Sequence, residues 1–314
     1  MIYSKVMARV HYTEITCKSA LNAVHGMPFK WSLNPYRGCT HSCHYCYARA
    51  THTYHGLNAG TDFETKILVK TNLPDVLRRE LARPTWLGER VAIGTATDPY
   101  QPCEGRYRLT RRALEALRDR RNPLSIVTKS TLILRDLDLL SELADLADVT
   151  VFFTVTTLDP AIWRKVEPGT PPPLQRLRVM QRLVEAGVPC GVFLAPILPG
   201  ITDSRESIEA VAKAAKEHGA TTFGTSVLRL APFVKEHYFG FVAATYPDLL
   251  PRYERAYQGT NASADYLVAL ERRIAHIRSR HGFGPDTMRR PDPPAHAPVS
   301  AMSAPPCGQL ALPL

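Results

Sequence analysis

Hydrophobic and polar positions alternate along this chain in blocks. Short runs of β-branched and aromatic residues are followed by stretches whose apolar residues recur three and four apart. Val91–Thr97, Ser125–Lys129, Thr150–Thr156, Val188–Pro196 and Thr222–Leu230 read as strands, with Thr150–Thr156 typical of an interior parallel strand. Leu73–Leu81, Leu109–Arg120, Asp136–Leu146, Leu174–Glu185 and Ser204–His218 read as the intervening helices. Pro74 suits the first turn of one, Thr110 can cap another, and Gly187 stops a third. A strand over Ser32–Tyr36 opens the series, and helices over Ala48–Leu57, Leu249–Gln258 and Ala264–Arg280 complete it. Such alternation predicts an α/β protein with a parallel sheet of βαβ units. Six strands are too few for an eight-stranded barrel, and the pattern alone does not separate a partial barrel from an open doubly wound sheet.

Composition adds bounds to this picture. The chain has 314 residues, 45% of them hydrophobic, which is enough for one large core or two small ones. No apolar segment approaches the ~18 residues of a membrane span, and no basic start leads into an apolar run, so a cytoplasmic, non-membrane protein is expected. The formal net charge of +10 admits a nucleic-acid partner. Arg111, Arg112, Arg118, Arg120 and Arg121 alternate with Glu115 and Asp119, however, which reads as a solvated helix face with intrahelical pairs. From Gly284 onward the chain is rich in Pro and Ala without periodicity, and a disordered tail is expected there.

The chemistry is concentrated in one loop. Cys39, Cys43 and Cys46 follow a C-x₃-C-x₂-C spacing, while Cys17, Cys103, Cys190 and Cys307 stand alone. Three thiolates on one tight loop can hold three corners of an iron–sulfur cube and leave the fourth iron open to a small molecule. The competing reading is zinc, with His41 or His44 closing a Cys₃His site in a non-enzymatic nucleic-acid-binding protein. Cys190, inside a strand, reads as a small core residue. His52 and His55 read as surface or packing residues of the helix after the loop.

The run Cys39-x₃-Cys43-x-Tyr45-Cys46 resembles the hallmark of radical S-adenosylmethionine (SAM) enzymes. The longer string Asn34–Tyr47, with Thr97-Asp98-Pro99-Tyr100-Gln101-Pro102 downstream, resembles the branch related to spore photoproduct lyase. The resemblance runs from about Phe29 to about Pro232. It implies a partial (β/α)₆ barrel of the radical SAM type with C-terminal helices, and the six strands agree with that. The corresponding division is an N-terminal extension (1–28), a core (29–235), a helical segment packed on it (236–283) and the tail (284–314). The resemblance also implies a [4Fe–4S] cluster on Cys39, Cys43 and Cys46, with SAM chelating the open iron. An electron from a reductant such as flavodoxin or ferredoxin would cleave SAM to a 5′-deoxyadenosyl radical, which takes hydrogen from a substrate in a lyase-like reaction.

Site residues follow from strand ends, where parallel α/β folds gather their ligands. Thr95, Thr97 and Asp98 close the second strand and would meet the SAM amino group. Lys129 would meet its carboxylate, Thr157 its ribose or carboxylate, and Tyr45 would stack on the adenine. The loop Ala195–Asp203 would lie along the adenine edge. One departure stands out: spore photoproduct lyase returns hydrogen from a cysteine near the end of the second strand, and Ala92–Thr97 contains none. Cys103 is the candidate hydrogen donor if its loop folds inward. Repair or modification of DNA or RNA bases is therefore one reading, and an unidentified substrate is the other.

Overall fold

The computed structural model describes residues 9–285. In chain order its strands are β1 (His11–Ile15), β2 (Leu21–Ala23), β3 (Trp31–Leu33), β4 (Tyr36–Arg37), β5 (Lys66–Lys70), β6 (Val91–Ile93), β7 (Leu124–Thr128), β8 (Val149–Thr154), β9 (Cys190–Ile197) and β10 (Thr222–Val227). Seven of them form the main sheet in the order β10-β9-β8-β7-β6-β3-β2. The six strands from β3 to β10 in that sheet are parallel, and β2 pairs antiparallel with β3 at its edge. Helices follow the strands as expected of βαβ units. The fold is thus α/β with six parallel strands, as the alternation and the resemblance implied. Most of the expected tail, including Cys307, lies outside the described residues.

Several elements differ from expectation for identifiable reasons. The strand expected over Ser32–Tyr36 is split at Asn34-Pro35. Its first half stays in the main sheet as β3, and Tyr36–Arg37 crosses into a second sheet of order β1-β5-β4. Proline has no N–H for a ladder, and here its carbonyl accepts from Lys70 N–H instead. The segment expected as a helix over Ala48–Leu57 is a 3₁₀ helix, Tyr47–His55. Thr51 and Thr53 donate their hydroxyls to the carbonyls of Ala48 and Ala50, three residues back, which favours the tighter winding.

Thr110 does not cap its helix, Leu109–Arg118. The N-cap is Arg108 at φ 52°, and the Glu104 carboxylate accepts from the N–H groups of Thr110 and Arg111. Nor is the arginine face tied mainly within one helix. Arg111 pairs with Asp136 and Asp138, Arg112 with Asp75, and Arg118 with Glu142, so these cations join neighbouring segments.

The main core is built on one face of the sheet, where Val91, Ile93, Ile126, Val151, Phe153 and Val192 meet helix residues such as Leu77, Leu114, Leu140 and Met180. A second cluster has direct bearing on function. Helices Val234–Thr245 and Leu250–Ala256 bring Val234, Tyr238, Phe241 and Tyr253 together with Cys43 and Tyr45. No helix among the described residues is long and apolar enough to cross a membrane.

Strand β6 ends at Ile93 rather than Thr97 because Gly94 turns the chain at φ 88°. A Cβ placed there would lie 2.4 Å from the Val127 carbonyl and 2.7 Å from Pro99 Cδ. Gly94→Ala is therefore expected to destabilise the fold by about 2–4 kcal/mol through combined clash and left-handed strain. Urea unfolding of the two proteins measures it, and a change below about 0.5 kcal/mol would contradict this account.

Candidate active site

The loop Gly38–Cys46 is buried yet has no regular structure, so its backbone groups need partners from elsewhere. Gly38 opens it at φ 79°, with His52, Phe63 and Ile67 so close that a side chain has no room. Cys39 N–H donates to Phe63 O at 2.9 Å. The side chain of Gln101, itself fully buried, donates to Gly38 O at 3.1 Å and accepts from Thr40 N–H at 3.2 Å, so it straddles Cys39. Thr97 donates its hydroxyl to the same Gly38 carbonyl at 2.6 Å. His44 N–H reaches Val166 O at 3.1 Å, and Gly169 N–H reaches His41 O at 3.1 Å. Arg49, fully buried, donates Nε to Cys43 O at 3.0 Å and anchors itself on Ala59 O, Gly60 O and Glu64.

Two buried ion pairs flank the loop. Asp98 pairs with His41 at 3.2 Å and accepts from Thr128 Oγ1 (2.8 Å), Lys129 N–H (2.7 Å) and Tyr100 N–H (2.9 Å). Burial opposes the Asp98 charge, but His41 and these donors outweigh it and hold the carboxyl down at about 2. Burial likewise opposes the His41 charge, and Asp98 with Cys39 raises its pKa to about 10. Glu167 pairs with Arg176 at 2.5 Å and accepts from Thr156 at 2.8 Å and from the Tyr45 hydroxyl. Burial works against Glu167 too, yet Arg176 and Lys129 bring it to about 2.

The three loop cysteines are close enough for their charges to interact. Burial raises the pKa of Cys43 and Cys46; Cys46 and Cys39 raise that of Cys43 further, and Cys39 raises that of Cys46. Lys129 and Arg49 are the cations that favour their thiolates. Lys129 lies 5.7 Å from the centre of the Tyr45 ring. Burial opposes its charge, while Cys43 and Glu167 raise its pKa.

The expected site residues fall into three groups. Cys39, Cys43, Cys46, Tyr45 and Lys129 are brought together, although Tyr45 is 5% exposed and its hydroxyl is engaged with Glu167 and Thr156. Thr97 and Asp98 sit beside the loop but brace it: both Asp98 oxygens and the Thr97 hydroxyl are filled by protein partners. Thr95 accepts from Asn34 Nδ2 at 3.1 Å and receives the Tyr47 hydroxyl at its carbonyl. Thr157 stands apart, accepting from Asp159 N–H and lining a cavity of about 330 Å³ with Ile162, Ile201 and Ser204. That cavity lies between the starts of helices Pro160–Val166 and Arg205–Glu217, past the carboxyl ends of β8 and β9.

Burial, Glu104 and the Cys39 charge all raise the Cys103 pKa, so this thiol lies within electrostatic reach of the cysteine loop. It packs with Tyr36, Ile67, Val69 and Leu109 beneath the small sheet, whereas Cys39 packs with Ala48 and Phe63. Cys190 is a core residue, as expected. Sequence reasoning missed Gln101, Arg49, Glu167 and Arg176. Gln101 lay inside a string already singled out, whereas nothing local distinguishes Glu167 or Arg176 from surface charges.

Among the described residues no three His, Cys, Asp or Glu donors converge as a single-ion site demands. A cuboidal cluster asks for something else, since each thiolate takes its own iron corner. Three soft thiols on one clamped loop, with the neighbouring carboxylates neutralised by their own cations, suit such a group.

The fold is that of a radical SAM enzyme. The radical SAM superfamily profile matches residues 33–227, and the chain belongs to that superfamily. The superfamily as a whole uses a [4Fe–4S] cluster and SAM. An uncharacterised protein of Mycobacterium tuberculosis is 42% identical over 91% of this chain and 84% of its own length. An uncharacterised protein of Methanocaldococcus jannaschii is 29% identical over 62% of this chain and 71% of its own. Among solved structures, a variant of spore photoproduct lyase with bound AdoMet and dinucleoside spore photoproduct matches with a TM-score of 0.66. It is 18% identical, over 86% of this chain and 79% of its own, so that likeness is one of fold.

Two outcomes follow. Arg176→Met leaves Glu167 charged, buried and unpaired, and should cost about 3–5 kcal/mol in urea unfolding, with Glu167→Gln added to it recovering part of the loss. The second concerns Lys70, buried with its ammonium on Asn34 O at 2.8 Å; burial and Arg37 lower its pKa to about 8 from 10.5. Between those values the unfolded chain binds the extra proton, so stability rises with pH across that window. Lys70→Met should abolish that rise, worth up to about 3 kcal/mol, and an unchanged pH profile would contradict the assignment.

Proposed function

We propose that this enzyme binds a [4Fe–4S] cluster through Cys39, Cys43 and Cys46 and performs a lyase-like, hydrogen-abstracting reaction on a substrate held at the carboxyl ends of the strands. The observation that carries the reading is the clamped three-cysteine loop at that rim, in a chain of the radical SAM superfamily. When bound, the cluster and SAM supply the 5′-deoxyadenosyl radical that abstracts hydrogen.

The residues around the loop have distinct tasks in this reading. Gln101, Thr97 and Arg49 hold the loop so that its thiols keep a constant spacing. The His41–Asp98 pair buttresses the stretch between Cys39 and Cys43. Lys129 is the cation on the inner side whose charge is not matched by a carboxylate of its own at salt-bridge distance among the described residues, and it would receive the SAM carboxylate. Tyr45 supports Lys129 from below through its ring face. The cavity bordered by Thr157 and Ile201 would take the nucleoside end of SAM, with the Ala195–Asp203 loop along one side. Helix Val234–Thr245 covers the loop through Phe241, which stacks on His44 at 4.2 Å and keeps water from that side.

Purification without oxygen, followed by loading with iron and sulfide, tests the reading. The expected product is a brown protein with about four irons per chain that, once reduced, converts SAM to 5′-deoxyadenosine. Serine at any of the three cysteines should abolish both colour and cleavage. A colourless protein with one tightly bound zinc would overturn the proposal. Deuterium carried from a candidate substrate into 5′-deoxyadenosine identifies the substrate; transfer from an oligonucleotide would assign the chemistry to nucleic acid.

A further inference from the structure

We propose that the inner face of the main sheet holds the substrate by an uncharged carbocyclic aromatic ring, of the phenyl or indole kind, stacked on Phe193. This names the substrate class for the reaction read above and rests on that reading. The helices pack against the face that carries Ile93, Ile126, Val151 and Val192, so alternation sends the residues between them to the opposite, inner face. In register across that face, Val127, Phe152 and Gly191 form one row. Thr154, Phe193 and Gly224 form the next row towards the carboxyl ends. Lys129 and Thr156 follow Val127 and Thr154 by two residues, so the same face runs on to the rim where the cosubstrate is placed.

Phe152 and Phe193 stack with their centroids 4.3 Å apart and their planes 9° from parallel. Gly191 allows it: a Cβ there would lie 2.9 Å from the Phe152 ring and 2.1 Å from Thr222 Oγ1, so a bare strand is needed beneath the ring. The two rings differ in what they leave uncovered. Phe152 is 4% exposed, whereas Phe193, with one face on Phe152, stays half-exposed. Its cross-strand neighbour Gly224 contributes no side chain to cover it, and Val127 in the row below is half-exposed as well. A third ring laid on Phe193 continues the stack and takes this apolar surface out of water.

Hydrogen bonding and charge decide what kind of ring fits. The polar side chains of these two rows are Thr154, which is 4% exposed, and Thr222 at the sheet edge. The strand N–H and C=O groups are spent on the ladder. A nucleobase on Phe193 would set its several edge donors and acceptors against Val127, Gly224 and the phenyl stack, and each one left unpaired costs its desolvation. A phenyl ring carries none and an indole only one. A cationic ring finds no acid to answer it, since Glu167 is taken up by Arg176, Tyr45 and Thr156, and Lys129 at the rim repels it. An apolar, neutral ring is what remains.

The test titrates the full chain by calorimetry, before and after loading with iron and sulfide. The probes are N-acetylphenylalanine amide, N-acetyltryptophan amide, free phenylalanine and thymidine. At least one aromatic probe should bind about tenfold or more tightly than thymidine. Preference for the amides assigns the ring to a peptide, and preference for the free amino acid assigns it to a small molecule. Phe193→Leu and Gly224→Ala should each weaken the better probe about tenfold, and Phe193→Tyr should keep it within about threefold, with urea unfolding confirming that each variant folds. SAM affinity of the loaded chain should stay within about twofold in all three. Thymidine binding as tightly as the aromatic probes would overturn the proposal, as would ring affinity unchanged in both weakening variants. So would SAM affinity that falls in step with ring affinity, because adenine would then be the ring on Phe193. If the reduced, loaded chain cleaves no SAM while Phe193→Leu still costs ring affinity, the cluster reading fails and the ring site stands. SAM cleavage by a chain that binds none of the aromatic probes means the reverse.

Discussion

An irregular loop cannot be buried in a protein unless something other than a helix or strand satisfies its backbone, and that requirement governs this molecule. Between Gly38 and Cys46 the partners come from widely separated segments: Phe63, Thr97, Gln101, Val166, Gly169 and Arg49. Each contact is an ordinary hydrogen bond of modest net value, but leaving any of these groups bare would cost its full desolvation. The loop therefore keeps one shape only when four parts of the chain are in place around it. That is how three flexible thiols become a preorganised set.

Charge follows the same logic. Buried carboxylates are tolerable only when paired, and both acids beside the loop have dedicated cations, His41 for Asp98 and Arg176 for Glu167. Pairing them has a consequence for chemistry. Lys129 and Arg49 are then the cations that favour thiolates at Cys43 and Cys46, against burial and, at Cys43, against Glu167. An anionic metal centre and an anionic cosubstrate group both suit those cations.

Residues such as Gln101 and Asp98 show how far local reading carries. The string that contains them was identifiable at once as chemically unusual, and its location at a strand end was deducible from alternation. Its task was not. A polar side chain at a strand end can face a ligand or a neighbouring loop, and these alternatives differ only in what the rest of the chain places opposite. The same applies to Tyr45, whose hydroxyl finds Glu167, 122 positions away. Strands β1 and β2 escaped notice for a simpler reason, being exposed or only three residues long, whereas β5 buries Ile67 and Val69 in a five-residue run bounded by lysines, too short to stand out as a strand. Arg49 and Arg176 look like surface charges in any window of the sequence, yet both are fully buried.

What the chain alone determined is whatever depends on near neighbours: the six-fold alternation of strands and helices, and a cysteine spacing suited to one multinuclear centre. Periodicity and spacing are local properties, carried by backbone geometry over a few residues. Tertiary structure decided which polar groups remain available to a ligand and which are absorbed in holding the loop, and it alone paired Glu167 with Arg176 and seated Cys103 beneath the small sheet. Those outcomes depend on burial and on partners distant along the chain, and burial exists only once the whole fold has closed.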